Sequence, residues 1–188
     1  MDLQTYQRSL RRLVIGGQPT PCDPSYARAL AGSPRLAVVR QVIDFWRAHG
    51  LERFCVLSAT WLKRQGRFDA DIGRFVARGE FSADIAEAGQ QFLRHLAGDA
   101  DPLVGALARF ELALHETRLD PTETRTLDWP CDPRPVLAAI LGQSGDMTAD
   151  GSGPQRVTVS RSLPGGYACT PLPPVQSGHT SHNREKTS

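Results

Sequence analysis

Along the first two thirds of the chain, apolar residues recur every three or four positions, and this spacing predicts a series of amphipathic helices. The first predicted helix begins at Leu3 and ends before the glycine pair Gly16-Gly17. Ser33-Pro34 joins a capping hydroxyl to a first-turn proline, which predicts a helix that runs to His49-Gly50. The predicted apolar face of this helix consists of Leu36, Val39, Ile43 and Trp46.

A third helix is predicted to begin at Leu51 and to end at Gly66. Because it follows the preceding helix directly, we expect the two to pack as an antiparallel hairpin. Trp46 and Trp61 both lie on the apolar stripes of these helices, which favours core positions for both side chains.

Three further helices and a short one complete the helical part of the pattern. A helix through Phe68 ends near Gly79, and a longer one is capped by Ser82 or Asp84. Another begins at Asp101-Pro102, and its apolar positions have spacings of four, three and four: Leu103, Leu107, Phe110 and Leu114. After a polar stretch from Leu119 to Trp129, a short helix is predicted over Arg134 to Leu141.

The pattern changes from a helical to an alternating one near the C-terminal end of the sequence. Arg156 to Ser160 and Gly166 to Thr170 alternate and are rich in β-branched or aromatic residues, with a turn signal at Leu163 to Gly166 between them. This pattern predicts a small β-hairpin. An isolated hairpin is marginally stable in water, so we expect it to pack on the helical body or to be completed by another chain.

The predicted fold is therefore mainly α, a bundle of about six helices with a small C-terminal β-hairpin. With 188 residues, 40% of them hydrophobic, the chain is long enough for one compact core. We expect a helical domain over residues 1–142, a flexible linker over 143–153, the small β element over 154–172 and a disordered tail over 173–188.

Charge and hydropathy exclude several classes of function. The formal net charge is only +2, and acidic residues are interspersed among the arginines, so the clustered positive charge that nucleic-acid binding requires is not evident. The first residues lack the pattern of a secretory signal, and no apolar run is long enough to cross a membrane. We expect a cytoplasmic protein without membrane association.

The sequence contains no recognisable catalytic motif. Four scattered cysteines are expected to be buried free thiols, and neither their spacing nor that of the histidines predicts a metal site. Glu111 and His115 are four residues apart on one helix and are compatible with a metal or acid–base pair, although intramolecular pairing is the commoner role of such spacing. Trp129, in a proline-flanked loop, is compatible with anchoring that loop or with anchoring an interface.

Several short segments of the chain together form a characteristic series: Leu3 to Leu10, the helix start at Arg35-Leu36, Gly89 to Leu96, Leu103 to His115, Trp129 to Leu137, and Val157 to Pro164 with Cys169. This series resembles a family of bacterial proteins, the HvfC and BufC group with MbnC of methanobactin biosynthesis and TglI. The length of the helical part and the compact β element are nearer to the MbnC and TglI kind.

The resemblance implies a non-catalytic role in the biosynthesis of ribosomally made, modified peptides. Proteins of this family pair with a TIM-barrel oxidase that depends on iron. The heterodimer binds the leader of a precursor peptide and oxidatively modifies a cysteine in the core of that precursor. The iron belongs to the partner enzyme, so no cofactor is implied for this chain. The product would be a methanobactin-like or thiaglutamate-like compound.

Two surfaces are predicted to serve these contacts. If the hairpin leaves one edge unpaired, an extended leader could add to it as a further strand. The residues predicted to bind the peptide are Val157, Val159, Tyr167 and Cys169. The residues predicted to contact the partner enzyme are Arg109, Trp129, Pro130 and Arg134, because aromatic and arginine side chains are favoured interface anchors.

Two other classes of function stay open at this point. An older label of the same family suggests a DNA-binding transcriptional regulator, which would bind duplex DNA through an arginine face in a salt-dependent way. A stand-alone enzyme would need a polar site that the sequence does not reveal.

Overall fold

The computed structural model describes residues 2–78, 82–143 and 153–173, which contain eight α-helices, one short 3-10 helix and three β-strands. The chain divides into two compact units, Met1–His115 and Glu116–Ser188. The division falls within a helix, whereas the sequence placed a boundary after residue 142. Most of the predicted linker and nearly all of the predicted tail lie outside the described residues, as does the predicted helix end near Gly79.

Apart from the second helix, which was not predicted, the helices follow the apolar spacing of the sequence. They are α1 (Leu3–Val14), α2 (Ser25–Ala31), α3 (Pro34–Phe54), α4 (Val56–Arg64), α5 (Phe68–Ala77), α6 (Ile85–Leu96), α7 (Pro102–Leu119) and α8 (Pro133–Ile140). The predicted starts are confirmed by their caps. Ser33 accepts a hydrogen bond from the backbone N–H of Arg35 at 3.3 Å, and Asp84 caps α6, while Ser82 accepts from the N–H of Asp84.

One predicted helix junction is wrong. The helix α3 continues through Gly50 and ends at Phe54, so the break lies at Cys55. Gly50 lies where α3 approaches α6: a Cβ atom there would stand 2.5 Å from Cδ1 of Ile85, so the end of that side chain would have to move. A glycine that permits close approach of two helices looks the same in the sequence as one that ends a helix.

The first three helices are held together by a small core and one buried carboxylate. Leu13, Ala27 and Leu36 form this core. Asp23 accepts a hydrogen bond from the Ser9 hydroxyl at 2.8 Å and forms an ion pair with Arg12 of α1. Hydrogen bonds, first of all from the Thr20 backbone, hold the pKa of Asp23 far below its usual value.

The larger core of the helical unit is built from α4 to α7. Phe68, Ile72 and Phe75 are buried as the spacing predicted, and Trp61 is buried as well. The helix α7 is buried on more sides than its predicted stripe implies, because small residues complete its surface. Its buried residues within the helical unit are Val104, Gly105, Ala106, Leu107, Ala108, Phe110, Glu111 and Ala113.

The second unit contains an antiparallel sheet in the order β1-β2-β3. Its strands are β1 (Thr124–Trp129), β2 (Gln155–Ser160) and β3 (Tyr167–Pro171), and a 3-10 turn at Pro164–Gly166 joins β2 to β3. The predicted hairpin of β2 and β3 is confirmed, with Val157 opposite Cys169 and Val159 opposite Tyr167. Gly165 and Gly166 both have positive φ angles, as a turn of this kind requires.

The strand β1 was not predicted. Its sequence, Thr-Arg-Thr-Leu-Asp-Trp, is mostly polar, and only Trp129 in it is fully buried. The apolar alternation of such a strand is weak, so the strand is identified from its pairing with another strand and not from its own sequence pattern. By pairing with β2, it supplies the third strand that a hairpin needs for stability.

Candidate functional site

The edge strand β3 presents backbone groups that β2 does not use. The backbone N–H of Leu172 donates to the carbonyl of Pro154 at 2.9 Å, and these two residues continue the register of the β2–β3 ladder. Hydrogen-bonded pairs alternate with non-bonded pairs in an antiparallel ladder, so Cys169 and Tyr167 occupy non-bonded positions. Their N–H and C=O groups therefore point away from β2, towards the outer edge of the sheet.

The side chains of Tyr167 and Cys169 lie on the same face of the sheet as Val157 and Val159. They are half-buried there, whereas Ala168 and Thr170 on the opposite face are exposed. Burial raises the pKa of the Cys169 thiol and the pKa of the Tyr167 phenol. Both groups are therefore neutral near pH 7.

The first turn of α8 contributes a charged pair to the same region. Asp132 caps α8 by accepting from the N–H of Arg134 at 2.9 Å, and the Arg134 guanidinium returns to both carboxylate oxygens. Hydrogen bonding to Arg134 lowers the pKa of Asp132 and raises that of Arg134. The charge of Arg134 also acts on Tyr167 and Cys169, so residues predicted for two different partners lie in one neighbourhood.

Two of the four residues predicted to bind the peptide lie in the interior of the sheet and not at its edge. Val157 and Val159 are 0% exposed and belong to the central strand of the sheet. The alternation that predicted a strand could not distinguish a central strand from an edge strand, because the third strand was not recognised. Tyr167 and Cys169 remain as the candidates at the edge.

The residues predicted for the partner interface are also divided. Trp129 is 1% exposed and belongs to the core, which favours the loop-anchoring alternative. Pro130 and Arg134 are exposed. Arg109 is exposed in the helical unit, where its guanidinium donates to the carbonyl of Ala97 at 2.9 Å.

Glu111 and His115 both contact residues at the break between α3 and α4. The two carboxylate oxygens of Glu111 accept hydrogen bonds from the N–H groups of Leu57 and Ser58, each at 2.8 Å. The imidazole of His115 stacks on the Phe54 ring with centroids 4.1 Å apart. Glu111 thus caps the N-terminus of α4 from another helix, which is the intramolecular role that we considered commoner.

The helix α3 presents an apolar face to solvent, which the sequence did not predict. Trp46 is 63% exposed and Phe45 is 64% exposed, so the predicted core position of Trp46 is wrong. The exposed residues of this α3 face recur at helical spacing over about two and a half turns; they are Val38, Val39, Val42, Phe45 and Trp46. The ring of Phe45 stacks parallel to that of His49 and meets Trp46 edge to face, which extends the face by one further position.

The opposite side of α3 carries arginine among its buried residues. Arg40 is partly buried, and its Nε donates to the carbonyl of Leu13 at 2.8 Å at the C-terminal end of α1. An arginine that caps another helix therefore lies on the same side of α3 as the buried Leu36 and Leu51.

The cysteines lie in different environments. Cys55 is buried, as predicted, and its thiol donates to the carbonyl of Gly89 at 3.5 Å. Cys22 is exposed, and Cys131 and Cys169 are half-buried, so the prediction of burial is wrong for Cys22 and holds in part for the other two. Among the described residues, no group of three or more histidine, cysteine or acidic side chains is arranged to hold a metal ion.

None of the described helices has the length and the apolar character that crossing a membrane requires. Comparison with known proteins adds no neighbour, since no protein-family model, no curated protein and no solved structure matches the chain.

Proposed function

We propose that this chain is a non-catalytic accessory subunit that binds the leader of a ribosomal precursor peptide. The partner is a TIM-barrel oxidase that holds the iron and modifies a cysteine of the precursor. The proposal rests on the family resemblance of the sequence and on one observation of the fold, the outward backbone of the edge strand β3.

The edge of β3 supports leader binding because a peptide strand can pair with it directly. At Cys169, the outward N–H and C=O are bonded to no backbone group of the described residues. An added strand gains its affinity from such main-chain groups and its selectivity from the side chains beside them. The half-buried Tyr167 and Cys169 side chains and the nearby Arg134 would provide that selectivity.

The exposed α3 face supports pairing with a protein partner. Five large apolar side chains on one helix form a contiguous patch, and such patches mark interaction sites more often than scattered apolar residues do. A stripe from Val38 to His49 is about 16 Å long, at 1.5 Å per residue. We therefore propose the α3 face, in place of Trp129, as the main contact for the oxidase.

The experiment for leader binding is a backbone substitution at the sheet edge. The chain is co-expressed with the TIM-barrel oxidase that the proposal requires as its partner, and the affinity of the complex for the precursor peptide of that oxidase is measured. Cys169→Pro removes the outward N–H of this residue. No bond to β2 is lost, because the Cys169 N–H points away from β2, and proline is tolerated on edge strands. We expect this substitution to weaken precursor binding about tenfold, the loss of roughly one good hydrogen bond.

Cys169→Ala is the matched control, since it removes the same thiol but keeps the N–H, and its complex should bind the precursor about tenfold more tightly than the Cys169→Pro complex does. Both variants must retain the circular dichroism spectrum of the parent. Equal affinity of the Cys169→Pro complex and the parent complex would reject strand addition at this edge. Failure of the chain to form a one-to-one complex with the oxidase would reject the proposed function as a whole.

The α3 face is tested by co-purification with the oxidase. Phe45→Ser combined with Trp46→Ser should abolish the complex, because the two rings supply most of the exposed apolar area. The control is Arg35→Ser, an exposed position at the start of the same helix. A complex that survives the double substitution would place the interface elsewhere.

A further inference from the structure

A polar cleft of about 650 Å³ opens in the helical unit beside α5 and the C-terminal end of α6. Four arginines, two aspartates and one histidine line it. Cavities of this volume hold small organic ligands in other proteins, although they are usually lined by apolar side chains. The charged lining therefore needs its own explanation.

One face of α5 supplies most of the charge. Arg67, Asp71, Arg74 and Arg78 have spacings of four, three and four, which places them on one side of the helix. Phe68, Ile72 and Phe75 occupy the buried side. This polar face was not predicted from the sequence, because acidic residues lie between the arginines along the chain.

The two aspartates neutralise two of the four arginines. Asp71 is 1% exposed and forms ion pairs with Arg74 and with Arg67, whose Nε is 3.3 Å from the carboxylate. Asp99 accepts from Nη2 of Arg67 at 2.6 Å. These contacts fix the guanidinium groups of Arg67 and Arg74 at the wall of the cleft.

Arg78 and Arg94 carry the excess charge. Nη1 of Arg78 lies 3.0 Å from Nδ1 of His95, and Nη2 of Arg94 donates to the side-chain oxygen of Gln90 at 3.1 Å. Within the described parts of the chain, neither guanidinium forms an ion pair with a carboxylate. Four guanidinium groups facing two carboxylates leave two positive charges when His95 is neutral.

We propose that this cleft binds a small organic phosphate monoester, whose dianionic group is held between Arg78 and Arg94. The two arginines come from the ends of different helices, so they can approach one tetrahedral group from two sides. The planar guanidinium matches phosphate oxygens with paired hydrogen bonds. The remaining volume of the cleft exceeds that of a free ion and accommodates the organic part of the ligand.

His95 provides an independent signal of occupancy. Burial and the charges of Arg78 and Arg74 lower its pKa below the usual 6.5. A bound dianion offsets those positive charges, so the pKa of His95 should rise when the cleft is filled. The inference does not depend on the proposed function, since the cleft lies on α5 and α6 and not on the sheet.

The test is a calorimetric titration of the purified full chain with phenyl phosphate and, separately, with inorganic phosphate. The total ionic strength is kept at about 0.15 M with chloride, so that general screening is constant. We expect saturable binding of phenyl phosphate that is tighter than binding of inorganic phosphate. Arg78→Gln and Arg94→Gln should each weaken it about tenfold or more, the loss of one charge-assisted contact.

Arg8→Gln is the matched control, because it removes the same charge from an exposed position on α1. It should leave the affinity within about twofold. Thermal unfolding of the variants should match that of the parent, since Arg78 and Arg94 are both exposed. The pKa of each histidine is measured from its signals in proton NMR spectra, and the His95 signal is the one that His95→Gln lacks. Addition of sulfate should raise the pKa of His95.

Two results would overturn the proposal. One is binding that Arg78→Gln and Arg94→Gln affect no more than Arg8→Gln does. The other is equal affinity for phenyl phosphate and inorganic phosphate, which would show a site for the free ion and not for an organic monoester.

Discussion

At the scale of single residues, the helix break at Cys55 depends on side chains from a distant part of the sequence. Glu111 satisfies two N–H groups at the start of α4, and His115 packs against the last residue of α3. The spacing of the two residues in the sequence predicted that they share a helix face. Their distance from residues 54–58 in the chain, more than fifty positions, hid what that face contacts.

Glu111→Gln should lower the free energy of unfolding by about 2 kcal/mol. The amide keeps one acceptor oxygen but places a donor NH₂ group against a backbone N–H. Urea unfolding of the purified chain measures the change. Glu87→Gln, the same substitution at an exposed position of α6, should change the stability by less than about 0.5 kcal/mol. Equal stability of the Glu111 variant and the parent would mean that the cap is not required.

At the scale of elements, α3 shows how tertiary contacts override a helical pattern. Its inner side holds Leu36 and Leu51 but also Arg40, which caps α1, while Phe45 and Trp46 face solvent. Apolar residues are frequent around the whole helix, so the sequence offered more than one apolar stripe. The neighbours of α3, and not its own pattern, decided which stripe was buried.

The exposure of Trp46 predicts a specific fluorescence result. Trp61 and Trp129 are buried, so acrylamide should quench the emission of Trp46 first. Trp46→Phe should remove the quenchable part of the emission, because phenylalanine does not contribute at tryptophan wavelengths. Trp61→Phe should leave that part in place. Quenching that is unchanged in Trp46→Phe would contradict the exposure of this side chain.

Two glycines on different helices should respond oppositely to alanine. A Cβ atom on Gly89 of α6 would stand 2.1 Å from the ring of Phe54, which His115 holds from its other face. Gly89→Ala should therefore destabilise the chain by about 1–3 kcal/mol. Gly73 of α5 has nothing within 4 Å of such an atom, so Gly73→Ala should stabilise it by about 0.4–1 kcal/mol. Thermal unfolding of both variants distinguishes these outcomes, and a stable Gly89→Ala protein would contradict the close packing.

At the scale of the whole molecule, the free energy of unfolding depends on pH. Histidine and aspartate residues with lowered pKa values bind protons more weakly in the folded chain than in the unfolded chain. Their stabilising contribution is present above the ordinary pKa of each group and is lost as the pH falls. Acid should therefore destabilise the protein in two steps.

The first loss of stability is expected below about pH 6.5, because His95 takes up a proton at a higher pH in the unfolded chain than in the folded chain. The second is expected below about pH 4, because hydrogen bonds keep the pKa values of Asp23, Asp120 and Asp132 under 3.8. Urea midpoints measured between pH 7 and pH 3 show both steps. His95→Gln should remove the first step alone; a variant that keeps it would assign that step to another group.

The sequence by itself determined the order and type of most elements. Apolar spacing and capping residues such as Ser33 and Asp84 are local signals, and they fixed the helix starts and the β2–β3 hairpin. Only the tertiary structure decided which faces are buried and which strands lie at an edge. It placed Val157 in a central strand, exposed Trp46 and put Arg78 and Arg94 in the lining of one cleft. These properties depend on contacts between residues far apart in the chain, and periodicity within a single segment contains no information about them.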